Sequence, residues 1–74
     1  MDKDTRDLAR QLFARATMIL EQAHEVSVTG QSPRLTVDGG TRQALELRRI
    51  AREVSALGEA IEVVIGSRIP GRGR

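Results

Sequence analysis

This 74-residue chain has one histidine and no cysteine, tyrosine or tryptophan with which to do chemistry. No pair of carboxylates stands at general acid–base spacing. No His–Cys or His–Ser–Asp set occurs, and no ligand spacing suits a metal. A single imidazole leaves little for proton transfer or nucleophilic attack. The chain reads as a protein that is not an enzyme, with no cofactor and no metal site.

Four short motifs carry other possible chemistry. His24-Glu25 resembles the phospho-accepting His-Glu pair of sensor histidine kinases, which dimerise through a helical hairpin. The match covers those two residues and the general architecture. Position 27 is Ser where that family has a basic residue, and no proline follows at the expected offset. A histidine near a helix C-terminus is also well placed against the helix dipole without any catalytic duty. Arg72-Gly73-Arg74, after Pro70-Gly71, resembles the core of an AT-hook, whose Arg-Gly-Arg lies in the narrow minor groove of A·T-rich DNA. That resemblance implies nucleic-acid contact by Arg68, Arg72 and Arg74, although the usual following proline and flanking basic residues are missing.

Arg42, Arg48, Arg49 and Arg52 could meet phosphates. Glu46 and Glu53 lie among them at i,i+3 and i,i+4 from Arg49, and no aromatics interleave to stack bases. A salt-bridged solvent face is the better reading. Asp38-Gly39-Gly40-Thr41 lacks the lysine and spacing of a phosphate loop and reads as a capped turn.

The elements that must position these residues are helical. In the second half Leu47, Val54 and Ile61 recur every seven residues, as do Ile50, Leu57 and Val64. Ala44, Ala51 and Gly58 form a third, small-residue series. This heptad predicts a helix running from a cap at Asp38 or Thr41 to about Ile65, with Gly66 as its stop. These nine residues, Ala44, Leu47, Ile50, Ala51, Val54, Leu57, Gly58, Ile61 and Val64, are the expected dimer interface.

A first helix is predicted from a cap at Asp4. It carries Leu8, Leu12, Ala16, Ile19, Ala23 and Val26 in steps of three and four, with Phe13 and Leu20 widening the stripe. Ala9, Ala16 and Ala23 should face the small series of the second helix, on the same or a partner chain. Between the helices Val26, Val28, Leu35 and Val37 alternate with polar residues around Gly30-Gln31-Ser32-Pro33. They read as a short β-hairpin, or an extended connection, able to bind a partner.

The predicted fold is therefore mainly α. A two-helix antiparallel hairpin with that connection spans residues 1–66 and dimerises into a four-helix bundle. Residues 67–74 follow as a disordered basic tail. With one phenylalanine and no cysteine, the core is aliphatic and has no covalent staple. Small domains of this kind are marginal, so self-association is expected. Residues 1–25 carry four basic and five acidic side chains, whereas 67–74 carry three arginines and no acid. The near-neutral body suits protein partners, and the tail suits nucleic acid.

No apolar run approaches a membrane span and no signal-peptide pattern opens the chain, so a cytoplasmic protein without membrane contact is expected. The function expected is that of a small homodimeric regulatory or adaptor protein binding an unidentified protein partner. The alternatives are a nucleic-acid-binding accessory protein using the tail, and an antitoxin-like or phage-type inhibitor using the hairpin edge.

Overall fold

The computed structural model describes residues 1–66, which form two helices packed as a hairpin. The first, α1, spans Lys3–Thr29 and the second, α2, spans Val37–Gly66. The cap of α1 is Asp2 rather than the expected Asp4. The Asp2 carboxylate accepts the Thr5 N–H at 2.8 Å, and its carbonyl accepts the Arg6 N–H at 3.0 Å. Asp4 sits inside the first turn, where its charge still favours the positive helix end.

The expected strands are corrected. Val26 and Val28 are the last turn of α1, Leu35 lies in the connecting turn and Val37 opens α2, and no strand occurs among the described residues. Two four-residue strands form a marginal hairpin. One more helical turn instead adds intrahelical hydrogen bonds and keeps Val26 in step with the apolar line below it. The helix stops at Gly30, whose N–H donates to the Val26 carbonyl at 3.0 Å. Two tight turns then reverse the chain. Ser32 donates to the Thr29 carbonyl at 3.2 Å, and Leu35 donates to the Ser32 carbonyl at 3.1 Å across Pro33.

The start of α2 also differs from expectation. Thr36 is the cap, not Asp38 or Thr41. Its Oγ1 accepts the Gly39 N–H at 2.9 Å, and its carbonyl accepts the Gly40 N–H at 2.8 Å. Gly39 and Gly40 thus belong to the first turn of the helix rather than to a loop before it. Their lack of a side chain has a packing reason. Leu35 folds back over the turn, and a Cβ at Gly40 would stand 3.3 Å from its Cδ2. Leu35, the residue before the cap, thus rests on the first helical turn.

The core is thin. Ala9, Ile19, Ile50 and Ile61 are the buried apolar residues, joined by Thr5. Leu12, Ala16, Ala23 and Val26 on α1, and Val54, Leu57 and Ala60 on α2, are half-buried beside them. On α1 the covered positions 5, 9, 12, 16, 19, 23 and 26 alternate steps of four and three, which is the seam of a left-handed helix pair. The Cα positions extend 53 × 24 × 11 Å, so the hairpin is one helix thick. Its radius of gyration is 16.8 Å. A compact domain of this length would have roughly 11 Å.

The expected tail, with Arg68, Arg72 and Arg74, lies outside the described residues. Among the described residues no helix is long and apolar enough to cross a membrane.

Candidate interaction surface

The nine residues expected at a dimer interface divide into two groups. Ile50 and Ile61 are buried against α1 of the same chain, and Val54, Leu57 and Val64 are half-covered. Ala44, Leu47, Ala51 and Gly58 are exposed, and a Cβ placed on Gly58 would meet nothing within 4 Å. The small series of α2 therefore does not meet Ala9, Ala16 and Ala23 within the chain. Those three alanines are themselves covered or half-covered. One flank of the heptad closes the hairpin and the other is left open.

Helix geometry shows what lies beside that open flank. Successive residues turn by 100° about the axis. On α1, Arg15 lies to one side of the buried line, and Phe13 and Leu20 lie to the other. On α2, Glu53 and Ala56 lie to one side of Ile50 and Ile61, and Leu47, Ala51, Val54 and Gly58 lie to the other. Arg15, Ile19, Glu53, Ala56 and Leu57 line one shallow depression, so the Arg15 flank of α1 and the Glu53 flank of α2 are the same side of the hairpin. Phe13, Leu20, Leu47, Ala51, Val54 and Gly58 consequently share the opposite side. Phe13 is 55% exposed and Leu20 54%, whereas Ile19, one residue earlier, is 3% exposed. A contiguous apolar surface carrying the chain's only aromatic side chain is unusual on a small monomer.

In the sequence Phe13 and Leu20 stand only at the edge of the α1 stripe. The signal that they form a surface of their own was present in their seven-residue separation, which matches that of Ala51 and Gly58.

On α2, a turn of 100° per residue sets Arg48 and Arg52 on the outward face and Arg42 and Arg49 on the Glu53 flank. Arg49 reaches across to two carboxylates. Its Nε donates to Glu46 Oε1 at 3.0 Å and its Nη2 to Glu46 Oε2 at 2.6 Å, a two-pronged contact, while Nη1 pairs with Glu53. The hydrogen bonds from Arg49, followed by its charge, hold the Glu46 carboxyl below the usual glutamate range against the opposing desolvation. Donating these bonds to Glu46 keeps the Arg49 guanidinium protonated more strongly than usual. The expected pairing of this face thus forms, but around Arg49 alone. Arg42, Arg48 and Arg52 make no ion pair among the described residues.

His24 is exposed near the end of α1, which continues for five residues beyond it. Among the described residues no group of three or more potential metal ligands comes together. No protein-family model matches this chain, and comparison with the curated proteins and with the solved structures finds no match.

Proposed function

We infer that this chain is a small, non-enzymatic homodimeric protein of the cytoplasm that acts as a regulatory or adaptor module by binding another protein. The observation that carries this reading is the uncovered apolar flank. Phe13, Leu20 and Leu47 lie exposed on one side of a hairpin in which, among the described residues, four apolar side chains are buried. Two hairpins meeting on that flank make a four-helix bundle, the smallest helical assembly that encloses both apolar flanks. Burial of apolar surface contributes about 25 cal/mol per Å², so the exposed phenylalanine and leucine weigh heavily against so small a core. The flank away from the seam, around Arg15 and Glu53, stays free for a protein partner.

The alternative, nucleic-acid binding through Arg68, Arg72 and Arg74, draws on the sequence alone. The inhibitor reading needs a strand edge, and the described residues contain none.

The test is sedimentation of the full chain beside its Phe13→Glu and Leu20→Glu variants. A dimer for the parent and helical monomers for the variants support the reading, because a carboxylate on a buried flank is left without a partner. A parent that stays monomeric at high micromolar concentration sinks it. Capture of partners from the native host, with a nuclease-treated arm, separates the protein-binding reading from the nucleic-acid one.

A further inference from the structure

The outward side of α2 carries a pattern that an isolated hairpin does not use. Residues 41–52 hold four arginines and one glutamate, and residues 53–66 hold three glutamates and no basic residue. Arg49 is engaged with Glu46 and Glu53. Arg48, Arg52, Glu59 and Glu62 remain exposed and make no ion pair among the described residues. Turning 100° per residue places all four in one stripe about 80° wide, directly beside Ala51, Ser55 and Gly58. Within that stripe like charges are neighbours. Arg48 and Arg52 stand four apart, and Glu59 and Glu62 stand three apart, spacings at which like charges repel.

The stripe is self-complementary. Arg48 and Glu62 each lie seven residues from Ser55, on opposite sides of it. Arg52 lies three before Ser55 and Glu59 four after. A second α2 running antiparallel across this point turns each repulsive pair into an attractive one.

We propose that the second copy docks with its α2 antiparallel to the first about a two-fold axis at Ser55, so that Arg48 and Arg52 of each copy face Glu62 and Glu59 of the other. This rests on the homodimer reading and specifies its register. Residue-for-residue reciprocity of this kind is what a two-fold interface requires. The small side chains at 51, 55 and 58 let the two helix backbones approach closely. A parallel α2 pair would set arginine over arginine and glutamate over glutamate.

The chain has no cysteine, so Ser55→Cys introduces its only thiol. A disulfide needs Cα atoms within about 7 Å, which holds at this position only if Ser55 meets its own copy. Under mild oxidation the full-length Ser55→Cys protein should form a covalent dimer at least about tenfold faster than Ala56→Cys, whose site lies on the opposite flank. In parallel, Arg48→Glu with Arg52→Glu makes the stripe wholly acidic, and Glu59→Arg with Glu62→Arg makes it wholly basic. Each double variant should dimerise about tenfold or more weakly than the parent at low salt, and a mixture of the two should form a one-to-one heterodimer. Equal crosslinking at 55 and 56, or double variants that dimerise like the parent, overturns this register while the homodimer stands. A parent chain that sediments as a monomer overturns both.

Discussion

The two flanks of the hairpin are built from the same helices and behave oppositely. On one side Arg15 and Glu53 border the groove between the helices. On the other, the corresponding positions are Phe13 and Leu20 on α1 and Leu47 and Val54 on α2. The buried line between them uses Ala9, Ile19, Ile50 and Ile61, while the phenylalanine and several leucines stay outside. Small and β-branched side chains fill the buried line, Leu12 and Leu57 are half-buried beside it, and Phe13, Leu20 and Leu47 are left outside. A hairpin 11 Å thick has no other layer of its own.

The largest effect separates the buried line from the open flank. Ile50 is 2% exposed, and Ile50→Ala should cost about 3 kcal/mol of stability at every protein concentration, measured by urea unfolding. Phe13→Ala should behave differently, lowering stability at high concentration and hardly at all at low concentration. An equal loss at both would place Phe13 in the monomer core and erase the distinction between flanks. Next, Leu20→Glu should weaken self-association by at least about 100-fold, against less than tenfold for Arg15→Glu on the other flank, in a sedimentation dilution series.

Two smaller effects sharpen the comparison. Among the described residues the Thr5 hydroxyl is buried with no hydrogen-bond partner, so Thr5→Val should add about 1 kcal/mol of stability, read as a higher urea midpoint. Gly58→Ala should stabilise the dilute monomer by about 0.8 kcal/mol through helix propensity, because the added Cβ meets nothing there. At concentrations where the open flank is covered, the same methyl should weaken assembly. A gain at all concentrations would place Gly58 outside any interface.

The smallest effect is electrostatic. Hydrogen bonds from Arg49 lower the Glu46 pKa, so their contribution is present above the ordinary glutamate range. It is lost as pH falls through the lowered value in the folded state. Arg49→Gln should raise the Glu46 midpoint toward the ordinary glutamate range in a carboxyl NMR titration. Glu46 is exposed, and global stability should hardly move.

Both helices were legible in the sequence because their apolar positions recur at three and four over more than twenty residues. What the sequence obscured was local. Val26-Ser27-Val28-Thr29 alternates apolar and polar residues, the signature of a strand, yet it extends a helix that α2 already supports. Gly39-Gly40 reads as a loop. Its actual role depends on Leu35 folding onto it, a contact that composition does not announce. The heptad in α2 was visible, but not its division between a flank used within the chain and one left open. That division depends on the side from which α1 approaches, which Arg15 and Glu53 reveal only when seen bordering the same depression.

The short connection at residues 30–36 also governs how the hairpin forms in time. Every contact between the helices is nested around one seven-residue turn, and closing a loop of that size takes about 10–100 ns. Helix pairs of such local topology fold in microseconds to milliseconds. Contacts next to the turn close the shortest loops, and those toward the Thr5 end of α1 close the longest.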